Sequence, residues 1–251
     1  MRVFLQALGC RLNEAELETW SRDCQARGYA LTDDAARADL IVINSCAVTQ
    51  ESVRKSRQLV RRAQRANPTA KLILSGCYAS LDDGANDAHA LAELGVDLIV
   101  PNRQKDRLVD IAAQELDLPL MPEMATEPGE QTLFARGRQR AFIKVQDGCR
   151  YRCAFCIVTR ARGEERSRPI ADVIREVQRV HASGINEIVL AGVHLGGYGS
   201  DLDTDLAALV DALLRETDIP RIRLGSLEPW ELHDTFWSLF ANPRVMPHLH
   251  L

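Results

Sequence analysis

The sequence predicts an α/β protein, an open parallel sheet of the Rossmann or flavodoxin-like kind followed by a partial (β/α) barrel. Two stretches in which strand-type and helix-type patterns alternate, residues 1–117 and 133–251, predict the two parts. Strands separated by amphipathic helices imply parallel βαβ units. Between the stretches, residues 118–132 carry Pro119, Pro122, Pro128 and Gly129 with little periodicity, the composition of an interdomain linker.

In the first part, Val3–Leu8, Leu40–Ile43, Leu72–Leu74 and Leu98–Val100 are short apolar runs of strand type. A helix is expected from Asn13, read as its capping residue, to Gly28, its stop. A second runs from Gln50 to Ala66 and ends at Asn67-Pro68, because the residue before proline avoids helical dihedrals. In the second part, Ala141–Val145, Glu187–Leu190, Arg221–Leu224 and His248–Leu251 read as strands. Ala171–Ser183 is a helix with Val173, Ile174, Val177 and Val180 on one face and Gly184 as its stop. Leu206–Glu216 is another, with Leu206, Leu209, Val210, Leu213 and Leu214 inward. These are successive (β/α) units of a barrel or partial barrel. The last expected strand has no covering helix after it, which predicts a truncated sequence.

The chain has 251 residues, enough for one large domain or two modest ones. Apolar residues make up 46% and charged residues 26%, ordinary for a soluble globular protein. The net charge of −4 offers a nucleic acid no overall attraction, so such a partner needs a local basic patch. No apolar run is long enough to span a bilayer, and the N-terminal MRVFLQALGCRLNE lacks the small-residue cleavage site of a signal peptide. A cytoplasmic protein with no membrane partner is expected. Its seven cysteines are Cys10, Cys24, Cys46, Cys77, Cys149, Cys153 and Cys156. An odd number in a reducing compartment favours metal ligation or catalysis over a disulfide framework.

The strongest motif is Cys149-Arg-Tyr-Arg-Cys153-Ala-Phe-Cys156, a C-x3-C-x2-C loop just after an expected strand. Three thiolates on a cubane of four irons leave one iron without a protein thiolate. That iron is free to take the amino and carboxylate groups of S-adenosylmethionine (SAM), and an electron from the cluster then splits the sulfonium. Zinc is the alternative, but it takes four ligands, usually in paired C-x2-C steps, and no fourth local ligand is present. Cys10, Cys46 and Cys77 each follow one of the first three expected strands. Loops after the carboxyl ends of parallel strands gather along one edge, where open α/β folds bind ligands. These cysteines either converge there or are three separate buried thiols. Their small neighbours Gly9, Ser45 and Gly76 speak for convergence, because they let the backbone approach a bulky cofactor. Cys24, inside the first helix, reads as a packed thiol.

Seven segments carry a resemblance: LGCRLNEAE (8–16), INSCAVTQESVRKSRQ (43–58), LSGCYA (74–79), DGCRYRCAFC (147–156), RGEERSRP (162–169), LAGVHLGGYG (190–199) and RLGSLEP (223–229). Through them the chain resembles the methylthiotransferases of the radical SAM superfamily over essentially its whole length. The resemblance implies a radical SAM (β/α) barrel, SAM as cofactor and two 4Fe-4S clusters. Cys149, Cys153 and Cys156 would hold the catalytic cluster, and Cys10, Cys46 and Cys77 an auxiliary one. One SAM would donate a methyl group and another the radical that removes hydrogen from a C–H bond, with sulfur delivered through the auxiliary cluster. GCRLNEAE and SCAVTQESVRKSRQ are most similar to the branch that modifies C2 of N6-threonylcarbamoyladenosine beside the tRNA anticodon. Another tRNA adenosine, a ribosomal-protein aspartate, or an inactive cluster-binding fragment are the alternatives. A tRNA substrate, an electron donor such as flavodoxin or ferredoxin, and a monomer are expected. Two departures stand out. Thr159 occupies a position where the family usually has proline, and the family continues past HLHL into the rest of the barrel and a small RNA-binding β-domain.

Other residues have two readings each. Arg54, Lys55, Arg57, Arg61, Arg62 and Arg65, on one expected helix, either meet tRNA phosphates or form a solvated face. Arg160, Arg162, Arg166 and Arg168 either line a substrate mouth or pair with Glu164 and Glu165. Gly192, Gly196 and Gly197 follow a strand and either approach the methionine end of SAM or make a plain loop. Arg223, Ser226 and Glu228, expected at the next strand end, are candidates for polar contacts to the cofactor. His194, His248 and His250 read as structural.

Overall fold

Parallel strands form the first sheet in a computed structural model that describes residues 1–81, 91, 93–119 and 140–251. They are β1 (Arg2–Ala7), β2 (Ala30–Thr32), β3 (Leu40–Ser45), β4 (Lys71–Gly76) and β5 (Leu98–Val100), in the order β2-β1-β3-β4-β5. This is the flavodoxin-like order, and its topological switch point lies between β1 and β3. The chain divides into two units, Met1–Arg136 with Cys153–Arg162, and Gly137–Arg152 with Gly163–Leu251. All but the first two residues of the expected linker, 118–132, lie outside the described residues.

Strand side chains alternate between faces, and each face of this sheet has its own helices. Val3, Leu5, Leu40, Val42, Ile73 and Val100 share a core with Leu17 and Trp20 of α1 (Arg11–Ala26) and Leu108 and Ala112 of α3 (Leu108–Glu115). Ile41, Ile43, Leu72 and Leu74 share the other with Val60 and Ala63 of α2 (Gln50–Ala66), and with Ala161. β3, between β1 and β4, is buried at every position. The start of α2 is fixed by a capping box. Thr49 Oγ1 accepts from the Ser52 N–H at 3.1 Å, and Ser52 Oγ accepts from the Thr49 N–H at 2.9 Å, worth about 1 kcal/mol.

Two expectations are corrected here. β2 is an additional short strand at the sheet edge, so Cys46 and Cys77 follow the third and fourth strands in chain order. Asn13 does not cap α1. Cys10 occupies that position without a side-chain cap, and Asn13 is buried in the first turn of the helix, with its amide on Leu8 O at 2.7 Å and Ser45 O at 3.2 Å.

The second unit contains β6 (Ala141–Lys144), β9 (Glu187–Ala191) and β10 (Arg221–Leu224), all parallel, in the order β10-β9-β6. A short antiparallel pair, β7 (Gln146–Asp147) and β8 (Arg166–Ser167), follows β6. α5 (Ile170–Ala182) precedes β9 and α6 (Leu206–Glu216) precedes β10, the repeat of a (β/α) barrel. Val173, Ile174, Val177 and Val180 of α5 and Leu206, Leu209, Val210 and Leu213 of α6 are buried, as their spacing requires. The expected strand His248–Leu251 is present only as an isolated bridge, Ser226↔His250, with a second at Ile222↔Val245. The short helix α4 (Val158–Arg162) belongs to the first unit, and α7 (Asp234–Trp237) to the second.

Candidate functional site

Cys10, Cys46 and Cys77 follow β1, β3 and β4, three neighbouring strands of one parallel sheet. Their loops therefore meet at the carboxyl edge, on and beside the switch point. Cys46 and Cys77 are buried and Cys10 is exposed. Gly9 sets the approach of the first two loops. Its φ is +107°, and a Cβ there would lie 2.8 Å from Cys46 Sγ. Ser56 of α2 holds the Cys46 backbone, donating to its carbonyl at 2.8 Å and accepting from its N–H at 3.1 Å. The Cys77 N–H donates to Ser45 O at 3.0 Å. Burial pushes the Cys77 thiol up, while the Arg162 guanidinium and the Lys105 ammonium pull it down.

A buried polar set lies against these loops. Glu16 Oε1 receives Lys105 Nζ at 2.5 Å and Arg162 Nη1 at 3.0 Å. Its other oxygen accepts from Asn44 Nδ2 at 2.9 Å. Arg162 Nη2 donates to Asn13 Oδ1 at 2.6 Å, and Lys105 Nζ donates to Asn102 Oδ1 at 3.1 Å. Each asparagine in turn faces a thiol, with Asn13 Oδ1 3.8 Å from Cys10 Sγ and Asn102 Nδ2 3.8 Å from Cys77 Sγ.

Among the described residues, no three His, Cys, Asp or Glu side chains gather as they would around a single metal ion. A cubane spreads its thiolates over separate irons. Three loop thiols with cationic neighbours and a glycine-opened backbone fit such a cluster better than one ion.

In the second unit, Cys149 follows β7, and its N–H donates to Gly163 O at 3.2 Å. Gly148 makes this crossing possible, because at φ +71° a Cβ would lie 1.9 Å from Glu164 O. Buried Gln146 ties this turn to the loop after β9. Its amide nitrogen donates to Gly148 O at 2.8 Å, and its Oε1 accepts from Val193 N at 2.8 Å and His194 N at 2.9 Å. Gly192 leaves room for that carbonyl, since a Cβ there would sit 2.9 Å from Gln146 Oε1.

His194 is buried among carboxylates, with Glu165 Oε1 3.4 Å from Nδ1, and Glu231 Oε1 3.6 Å and Glu228 Oε2 3.9 Å from Nε2. The Tyr151 ring meets it edge-on at 5.0 Å. Burial pushes the Glu165 carboxyl up, against the opposing pull of His194 and Arg150. Burial also raises Glu231, but hydrogen bonds from Tyr151 and Arg150 outweigh it and hold that carboxyl below its ordinary value. A cavity of about 220 Å³ opens against Arg150, Gly196, Gly197 and Glu231.

Residues 143–230 match the family model of the radical SAM superfamily, a span that includes the whole C-x3-C-x2-C loop. Residues 143–230 are thus a radical SAM segment. Residues 2–100, ahead of the radical SAM segment, match the uncharacterized protein family UPF0004. A threonylcarbamoyladenosine tRNA methylthiotransferase of Bacillus subtilis is 35% identical over 99% of this chain and 56% of its own length. The protein of the same name from Aquifex aeolicus is 32% identical over 100% of this chain and 62% of its own. The chain thus spans a little over half the length of these relatives. Among solved structures, the radical SAM methyltransferase TsrM of Kitasatospora setae superposes with a TM-score of 0.66 over 97% of this chain and 58% of its own, at 14% identity. That likeness speaks for the fold. No helix among the described residues is long and apolar enough to cross a membrane.

Several expected residues of this chain sit elsewhere than anticipated. Arg223 lies inside β10, not at its end, and its Nε donates to Glu187 Oε1 at 2.8 Å. Ser226 Oγ bonds His250 Nδ1 at 2.8 Å, while Glu228 accepts from the Gly196 N–H at 3.0 Å. Three of the four arginines 160, 162, 166 and 168 face separate carboxylates. Arg162 turns to Glu16, Arg168 to Glu176 at 2.5 Å and Arg166 to Asp147 at 4.0 Å. Arg57 leaves the solvated face of α2 to donate to the Tyr78 hydroxyl at 2.7 Å, and Lys55 pairs with Glu51 at 2.8 Å. Thr159 lies in the first turn of α4, where proline is also tolerated. Sequence reasoning missed Gln146, Asn13, Glu16 and Lys105 as parts of a site. Only the short motif spacing Asn13-x-x-Glu16, one helical turn, pointed to two of them.

Proposed function

We propose that this chain is a radical SAM methylthiotransferase that adds a methylthio group to C2 of N6-threonylcarbamoyladenosine in tRNA. One observation carries the reading. A C-x3-C-x2-C loop shares a chain with three cysteines placed after three adjacent parallel strands. The names of relatives at 31–35% identity support the nucleoside. Cys149, Cys153 and Cys156 would hold the first 4Fe-4S cluster, and Cys10, Cys46 and Cys77 the second. When bound, the clusters and SAM supply one-electron cleavage of the sulfonium, a hydrogen-abstracting radical, sulfur and a methyl group.

The chain's own residues do the rest. Gln146 fixes the turn before Cys149 against the loop after β9, so the cysteine turn and Gly192 keep one spacing. Gly192, Ser226 and Arg223 remain the candidates for SAM contacts, and Glu228 and Glu231 are the carboxylates beside Gly196 and His194. The exposed Arg54, Arg61, Arg62 and Arg65 of α2 are positioned to meet tRNA phosphates despite the net charge of −4. An electron donor of the flavodoxin or ferredoxin kind completes the reaction, and the enzyme works as a cytoplasmic monomer.

Mass spectrometry of tRNA nucleosides, with the gene intact and deleted in its own organism, tests this. The methylthiolated threonylcarbamoyladenosine is expected to disappear on deletion, leaving the unmodified nucleoside. Its persistence, with loss of a mass increment on a ribosomal protein, would move the substrate to the aspartate branch.

A further inference from the structure

Arg162 follows the last cysteine of the C-x3-C-x2-C loop by six residues, yet every contact described for it lies at the edge that carries Cys10, Cys46 and Cys77. Its guanidinium is buried, as are its partner Glu16 and the second cation on that carboxylate, Lys105. Burying three charges is costly unless geometry and hydrogen bonding are nearly complete. A chain that only needed to pack α4 against the sheet would do so with apolar residues, as neighbouring Ala161 does.

The paths out of this set lead to sulfur. Arg162 grips Asn13, whose Nδ2 spans Leu8 O and Ser45 O, the carbonyls just before the Gly9-Cys10 and Cys46 turns. Lys105 grips Asn102, whose Nδ2 faces Cys77 Sγ and also donates to Ala161 O at 2.7 Å. Glu16 joins the two cations. Hydrogen bonds to sulfur, net charge and burial are the levers by which a protein sets the potential of an iron–sulfur site.

We propose that Arg162, with Glu16 and Lys105, is a positioning group for the Cys10/Cys46/Cys77 site. It locks the segment after the radical cysteine loop onto that site and raises the reduction potential of the cluster held there. The inference rests on the cluster assignment made above. Arg162 is a positioning residue, acting through Asn13 and through its charge.

The test uses the Cys149/Cys153/Cys156→Ala protein, reconstituted anaerobically, so that only the second site can hold a cluster. Redox titration followed by electron paramagnetic resonance reads its potential. Arg162→Gln removes a cation, so at the parent midpoint the reduced-to-oxidised ratio is expected to fall about tenfold, a downward shift of about 59 mV for one electron. Arg162→Lys keeps the charge and is expected to stay near the parent. Glu16→Gln removes the anion and is expected to shift the potential upward. Opposite signs from two neighbouring substitutions are not the result of simple loosening. An unchanged potential in Arg162→Gln, shifts of the same sign, or loss of the cluster from either variant would overturn the inference while leaving the cluster assignment standing. Absence of iron from the parent of this series would overturn both.

Discussion

At Gly9, one absent methyl group decides where Cys46 sits. Alanine there would bring Cβ within 2.9 Å of Cys46 Cβ and closer to its sulfur, at a φ of +107° that side chains avoid. The strain is about 1–3 kcal/mol, and its relief must move the thiol. Gly9→Ala is therefore expected to yield a folded protein that loses the iron assigned to the dispersed cysteines and keeps the rest. Full iron content in that variant would show that the Cys46 position is not part of a cluster. At this scale the thiols were legible and their supports were not. A cysteine announces its chemistry by type and spacing. Arg162 and Glu16 stand 146 positions apart, and nothing local distinguishes Arg162 from the arginines around it. Gln146 was equally silent, because its role lies in four backbone groups that only the fold brings together.

Within α1, Cys24 behaves as the packed thiol its helical position suggested. It is buried against Trp20 and Tyr29 in the core shared with α3, and burial pushes its pKa from 9.0 up to about 12. The unfolded chain releases this proton near pH 9, whereas the folded one holds it to about pH 12. The contribution is fully present below pH 9, and stability falls as pH rises through that window, by an amount on the order of 4 kcal/mol. Cys24→Val, similar in size, is expected to lose stability less steeply than the parent above pH 9 in urea unfolding. Parallel pH curves would contradict this burial effect. Long amphipathic elements such as α2, α5 and α6 were readable because their apolar spacing is what buries them. β2 escaped notice since three residues, Ala30–Thr32, carry too little pattern. The start of α1 was misplaced because Asn13 resembles a cap by residue type, while its amide is spent on the carbonyls beside two cysteines.

Over the whole molecule, the parallel open sheet and the succession of (β/α) units follow from the alternation visible in sequence, but the strand order 2-1-3-4-5 does not. Nor does the switch point. Which strands neighbour one another is settled by pairing, and pairing is what makes β1, β3 and β4 adjacent and brings their three cysteines to one edge. The assignment of Cys153–Arg162 to the first unit was likewise invisible, since it depends on Ala161 packing with Ile43 and Tyr78 in one core and on Arg162 reaching Glu16. Two cubane sites on one chain are what the proposed methylthiolation requires. Iron and acid-labile sulfide, measured after anaerobic reconstitution in the parent and in Cys10/Cys46/Cys77→Ala, test this most directly. About eight irons per chain falling to about four is the predicted result. About four in both proteins would contradict it, leaving the dispersed cysteines structural and the methylthiolation reading without its sulfur-delivery site.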